Sequence, residues 1–211
     1  MKRATMMVVT LLAIAAGNSS ADSWALPTKQ RYCSSNGKHC VDVDPKPIES
    51  QLRYFDDGVK KADNPGAGPS KPRSAVATTF VRNGREYTRG RSFPLLNEVA
   101  PVDALVSGDG RYIVTFDNWH TVGWGDNVVV IYRADGSLIK KYSLGDLLSQ
   151  KKVDRLPRSV SSIWWAGEHR MDESRGELLL QVVDRAQALC DEKAKYVELR
   201  IKLATGEKLR K

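Results

Sequence analysis

Histidine and cysteine are scarce in this chain, with three of each in 211 residues. His39, His120 and His169 stand apart, without the close partner that would set two imidazoles on one face, so a paired-histidine zinc site is excluded. A calcium loop needs oxygen ligands on alternating positions closed by a bidentate acid. Asp117, Asn118 and Asp126 are the nearest approach and lack that spacing, so no cofactor is expected, Ca²⁺ being the one metal those side chains would suit. The G-x-S-x-G turn of a serine nucleophile is missing, as is any glycine loop built to cradle phosphate. No basic stripe is interleaved with aromatics, which argues against dedicated nucleic-acid binding although the formal charge is +8.

Long apolar runs are also absent. The longest, Met6 to Ala16, is about half of what a membrane-spanning helix needs. It follows Lys2 and Arg3 and precedes Ser19-Ser20-Ala21, the pattern of a secretory signal peptide cut before Asp22. The expected product is a single domain over residues 22–211 with no membrane span, placed in the periplasm or outside the cell. Removing Met1 to Ala21 takes away two cations and no acid, leaving +6. Short clusters such as Lys60-Lys61, Lys140-Lys141 and Lys151-Lys152 carry much of that charge and are expected to serve solubility.

An oxidising compartment makes a disulfide the natural expectation for cysteine. Cys33 and Cys40 flank Asn36-Gly37 symmetrically, and a two-residue hairpin turn there would bring the two sulfurs to one face of adjacent strands. A three-residue loop would slip the register and leave Cys190 as partner for one of them. A catalytic thiol at Cys190 is disfavoured by the adjacent Asp191 and Glu192.

What the chain has in quantity is strand punctuation. Between Asp103 and Leu144, apolar runs at Ala104 to Val106, Tyr112 to Phe116, Val128 to Tyr132 and Leu138 to Tyr142 are separated by Gly and Asp, which predicts a four-stranded antiparallel meander. An earlier hairpin spans Gln30 to Val43, and its SSNGKHCVDVD aligns without a gap to SGDGRYIVTFD at Ser107 to Asp117, an internal repeat offset by 73 residues that points to duplicated sheets. A further hairpin turns at Asn83-Gly84, and three more strands are expected at Val160 to Ala166, Glu177 to Val183 and Tyr196 to Leu203, with a short last one after Thr205-Gly206. Ile48 to Phe55 suits a strand or one helical turn, and Leu144 to Gln150 one or two turns of helix. Residues 56–73, rich in Gly, Pro, Asp and Lys, read as a flexible surface loop. The fold class is therefore all-β, about eleven strands in three meander groups, packed either as propeller-like blades or as a sandwich.

Chemistry concentrates in one segment, Phe116 to Asn127. Asp117, Asn118, His120 and Asp126 offer polar ligands, Trp119 and Trp124 offer flat faces, and Gly123 and Gly125 permit a tight path at a sheet end, where binding groups commonly sit. Tryptophans also pack between layers, and Asp or Asn after a strand also satisfies turn backbone, so both uses are open. Ile163-Trp164-Trp165 is expected to place one ring on each face of its strand.

The run SGDGRYIVTFDNW followed by VVVIYRADGSLIKKYSL resembles the hairpin punctuation of bacterial propeller-repeat proteins, and the NEVAPVDALVSGDGRY and FDNWH stretches resemble small secreted bacterial proteins. That resemblance implies an exported β fold and transfers no activity. The expected role is a non-catalytic binding or scaffolding module whose partner is a protein or glycan of the cell envelope. The competing expectation is a hydrolase or lyase of envelope glycans or peptides, with His120 and Asp117 or Asp126 as acid and base.

Overall fold

Ile113 to Phe116 and Val128 to Tyr132 are apolar at nearly every position, which suits strands covered on both faces. The computed structural model describes residues 24–66, 74–185 and 194–209. It places these two strands at the centre of three four-stranded antiparallel sheets. The expected leader Met1 to Ala21, residues 67–73 of the expected loop, and Cys190 lie outside the described residues.

The first sheet holds β1 (Gln30–Cys33), β2 (His39–Asp44), β3 (Val76–Asn83) and β4 (Glu86–Pro94). The middle sheet holds β5 (Asp103–Val106), β6 (Tyr112–Phe116), β7 (Val129–Arg133) and β8 (Leu138–Tyr142). The third holds β9 (Ala166–Asp172), β10 (Glu177–Arg185), β11 (Lys195–Lys202) and β12 (Lys208–Leu209). Within each, consecutive strands are neighbours.

Alternation along the middle strands divides the core in two. Val114, Phe116, Val129 and Ile131 pack with Leu178, Leu180, Val182 and Trp165 toward the third sheet. Ile113, Val130 and Tyr132 pack with Val41, Val43, Ala77 and Phe93 toward the first. The three blade-like sheets are thus stacked in chain order, and no core cluster of the described residues joins the first to the third.

Because every sheet is a meander, its turns separate by end. The tight turns β1–β2, β3–β4, β5–β6, β7–β8 and β9–β10 fall at one end, and the long connections, including residues 45–75, 95–102, 117–128 and 143–165, fall at the other. The repeat is visible as hydrogen bonding at the tight end. Ser34 Oγ accepts from His39 N, Asn36 Oδ1 accepts from Lys38 N, and Gly37 N donates to Ser34 O. Ser107, Asp109, Gly110, Arg111 and Tyr112 repeat each of these contacts. Gly37 and Gly110 take φ of 65° and 71°, which the turn requires and other residues resist. The turn is a four-residue loop, Ser35 to Lys38, rather than the two-residue one; its even length preserves the register, so Cys33 faces Cys40 and the two are disulfide-bonded. That closure contributes about 2.5 kcal/mol in the chain-entropy account.

Three expectations need correction. Ile48 to Phe55 supplies neither a strand nor a single turn: α1 runs Gln51–Val59, capped by Ser50, and so takes up residues 56–59 of the expected loop. The strand expected at Val160 to Ala166 begins instead at Ala166. Ile163 and Trp165 are buried because they pack beneath the 117–128 loop, with Ile163 N bonded to Val122 O, and not through membership of a ladder. The true strand, AGEHRMD, is polar because it forms the sheet's edge. The two rings therefore do not straddle a strand: Trp165 is buried and Trp164 half-buried, at the margin of the same cluster. The short helices α2 (Leu144–Leu147) and α3 (Gln150–Val153) fall where helical turns are expected.

Candidate functional site

The β6–β7 connection is held from inside by a carboxylate. Asp117, 6 % exposed, turns its side chain into the core, where Oδ1 accepts from Gly123 N at 2.7 Å and both oxygens accept from Trp165 Nε1 at 3.2 and 3.1 Å. Burial pushes its pKa up to about 7, against the lowering effect of those two donors. Asn97, fully buried, braces the backbone, donating to Asp117 O at 2.6 Å and accepting from Thr115 Oγ1 at 2.6 Å. This bracing sustains φ of 54° at Asp117 and 59° at His120, a conformation residues with a Cβ adopt only under constraint.

Held this way, the loop brings several of its other side chains to one cleft. Asn118, Trp119, His120, Trp124 and Asp126 line one cleft of about 390 Å³ together with Tyr54, Leu96, Glu98, Thr121 and Asn127. Five of the six residues singled out by sequence converge there, and Asp117 lies behind it. The tryptophans divide their roles. Trp119 is buried, donates from Nε1 to Ala25 O at 2.9 Å, and forms a wall shared with a second cleft of about 370 Å³ lined by Trp24, Leu26, Tyr32 and Val102. Trp124 is 41 % exposed.

His120 sits among rings, with centroids 5.4 Å from Tyr54, 4.7 Å from Phe55 and 4.9 Å from Trp119. Burial lowers its pKa, with Glu98 acting in the opposite sense, so at neutral pH the imidazole is uncharged and can both donate and accept. The cleft's two carboxylates are each engaged by a lysine. Glu98 meets the fully buried Lys46 Nζ at 2.6 Å and accepts from Tyr54 Oη at 3.2 Å, while Asp126 meets Lys141 Nζ at 3.2 Å. Asn127 donates to Leu96 O at 2.8 Å.

Sequence reasoning missed Tyr54, Leu96 and Glu98, which come from α1 and the β4–β5 connection, and Lys46 beneath them. One signal was present: Asn97 and Glu98 interrupt an otherwise apolar stretch from Leu95 to Ala100, and Asn97 does so as a buried polar group with partners. Among the described residues no cluster of three His, Cys, Asp or Glu side chains has metal-binding proximity, and no helix is long and apolar enough to cross a membrane.

No protein-family model matches the chain, and no curated protein matches it. A solved structure, the Pseudomonas aeruginosa periplasmic gluconolactonase PpgL, is similar over 85 % of this chain and 55 % of its own, at 15 % identity and a TM-score of 0.30. The chain thus spans about half the length of that protein, and a likeness this slight bears on neither architecture nor activity.

Proposed function

We propose that the chain is an exported, non-catalytic module of the cell envelope that binds a saccharide in the 117–128 cleft. The observation that carries this reading is the split between the two sides of one loop: the carboxylate is turned inward to brace it, and Trp124 is left as an open platform rimmed by Asn118, His120 and Asp126. A flat apolar face beside neutral and charged hydrogen-bonding groups is what a sugar ring needs, since its C–H face stacks and its hydroxyls pair. The cleft volume suits a ligand on the order of a disaccharide. A disulfide in an exposed hairpin fits an oxidising compartment, which supports export to the periplasm or beyond.

The hydrolase or lyase reading asks His120 to work with Asp117 or Asp126. Asp117 Oδ1 and Oδ2 are both occupied on the core side, and Asp126 is held by Lys141, so the geometry supports binding better than proton transfer. Titrating the purified protein with peptidoglycan-derived di- and tetrasaccharides while following tryptophan fluorescence tests the proposal. Trp124→Ala is expected to abolish the response and leave the melting temperature within about 2 °C, because the ring is exposed. Turnover of any of these saccharides, lost in His120→Ala, would replace the binding reading with the enzymatic one.

A further inference from the structure

Among the described residues the first sheet ends the stack, with no other sheet over its outer face. Alternation fixes what that face presents. Since Val41, Val43 and Ala77 point into the core, Cys40, Asp42, Thr78, Phe80 and Arg82 point out, with Arg31 opposite Asp42, Arg89 opposite Phe80 and Tyr87 opposite Arg82. Lys29 extends the same surface beside Asp42 and Asp44, and the exposed Lys38 lies in the β1–β2 turn, where its carbonyl accepts from Arg82 N.

Two acids stand on this face, and both are already engaged. Asp42 accepts from Arg31 Nε at 2.5 Å and Nη2 at 2.9 Å, and Lys29 Nζ lies 3.4 Å from Asp42 and 3.3 Å from Asp44. Lys38, Arg82 and Arg89 have no carboxylate partner among the described residues. Arg82 Nε donates to Gly84 O at 2.9 Å and Arg89 Nη2 to Ser92 Oγ at 3.1 Å, which orients each guanidinium and leaves its remaining N–H groups free. On the third sheet Arg170 is paired with Glu198 at 3.1 Å and Arg200 with Glu177 at 2.5 Å, while Lys195, Lys202 and Lys208 likewise have no carboxylate partner among the described residues.

We infer that this outer face is a docking surface for a linear anionic polysaccharide. The unmatched cations lie on a disulfide-stiffened sheet at roughly 5 Å between strands and roughly 7 Å along them, a spacing that reads charge repeated along a chain. The face's aromatics already hold guanidinium partners: Arg31 lies 4.9 Å from the Phe80 centroid and 5.0 Å from that of Tyr87, and Arg82 lies 6.0 Å from Tyr87, so a nucleobase stacking there would compete with an arginine. Among the described residues the aliphatic side chain that alternation turns to this face is Val76, which is half-buried and so not of the kind that inserts into a bilayer. It is also separate from the cleft, because Lys38, Arg82 and Arg89 cluster toward the tight-turn end and the cleft occupies the other.

The test uses heparin and polygalacturonate as probes, titrated across a range of salt concentrations against four forms: the native protein, Arg82→Ser with Arg89→Ser, Arg82→Lys with Arg89→Lys, and a control with the charge change of the serine pair, Lys61→Ser with Lys151→Ser. The arginine pair is expected to lose about ten-fold in affinity and to lower the salt slope by about two, with the control changing by less than about two-fold. Arg82→Lys with Arg89→Lys should keep most of the affinity, and all forms should melt together because these side chains are exposed. The inference is overturned if the two serine pairs lose affinity equally, which would make net charge the cause, or if the native protein binds neither probe. It is equally overturned if single-stranded DNA or phosphatidylglycerol vesicles bind as tightly through the same arginines.

Discussion

The two ends of the stack satisfy their polar groups over different distances. At the tight-turn end, Ser34, Asn36, Ser107 and Asp109 shape their own turns through bonds to groups two to five residues away, and the turns then meet through Asn36 Nδ2 to Gly108 O and Gly108 N to Glu173 Oε1. At the cleft end, Asp117 bonds to Trp165 across 48 residues and Trp119 to Ala25 across 94. Short-range satisfaction makes a turn that is autonomous and repeated. Long-range satisfaction makes a loop whose shape exists only once the sheets have stacked, and which can therefore hold strained backbone and face its ring outward.

The largest expected effect lies at the cleft end and comes from a buried carboxylate and a half-buried imidazole on one indole. Asp117 bonds to Trp165 Nε1, and His169 stacks on the Trp165 and Phe116 rings with centroids 5.1 and 4.3 Å away. Burial raises Asp117 from 3.8 to about 7 and lowers His169 from 6.5 to about 4. The folded state keeps the Asp117 proton that the unfolded chain releases, so this contribution is full below about pH 4 and is lost as pH rises to about 7. The folded state refuses the His169 proton that the unfolded chain accepts, so that contribution is full above about pH 6.5 and is lost as pH falls to about 4. Each acts at about 1.4 kcal/mol per pH unit, and in opposite directions, so their sum is nearly flat across the shared window. Asp117→Asn should unmask a loss of about 3 kcal/mol as pH falls from 6.5 to 4, and His169→Phe a loss of about 4 kcal/mol as pH rises from 4 to 7. Urea unfolding at a series of pH values, read as the difference from the native protein, checks both; parallel curves would mean that one or both groups are not buried as described.

This contrast in distance also explains what the amino-acid sequence reveals. The SSNGK and SGDGR turns, the middle meander and the Cys33 to Cys40 pairing are legible because the residues that cause them lie within a few positions of one another. The 117–128 segment is legible as unusual, yet nothing near Asp117 in the chain tells that its carboxylate points inward, since Trp165 and Asn97 decide it. The strand at Ala166–Asp172 is hidden for a related reason. Edge strands do not need apolar alternation, whereas Ile163 and Trp165, outside any ladder, mimic it by packing under a distant loop. Tyr54 and Glu98 reach the cleft from segments far from it in the chain.

Next in size are two glycines at the same position of the repeated turn. Gly37 and Gly110 share nearly the same φ, so alanine at either costs about 1 kcal/mol of left-handed strain. Their surroundings differ. A Cβ at Gly37 would meet only Arg82 Nη1 at 3.9 Å, whereas one at Gly110 would fall 2.2 Å from His39 Nδ1. Gly110→Ala should therefore cost about 3 kcal/mol in denaturant unfolding against about 1 for Gly37→Ala. Equal losses would show that the β1–β2 and β5–β6 turns do not pack against one another as closely as the His39 contact indicates.

The smallest effect is the sharpest test of whether the tight-turn end is one device used twice. Ser34 and Ser107 are 4 % and 1 % exposed, and each hydroxyl accepts from the amide five residues on while donating to the side chain two residues on. Replacing either by alanine leaves one buried amide and one turn carboxylate or carboxamide without that partner, at about 1 kcal/mol each. The first turn lies inside the Cys33 to Cys40 loop and the second does not. If the disulfide already holds the first turn in register, Ser34→Ala will cost less than Ser107→Ala in the oxidised protein, and the two will become equal after reduction. If they stay equal in both states, the hydroxyl acts on the turn alone and the disulfide contributes only through the unfolded chain.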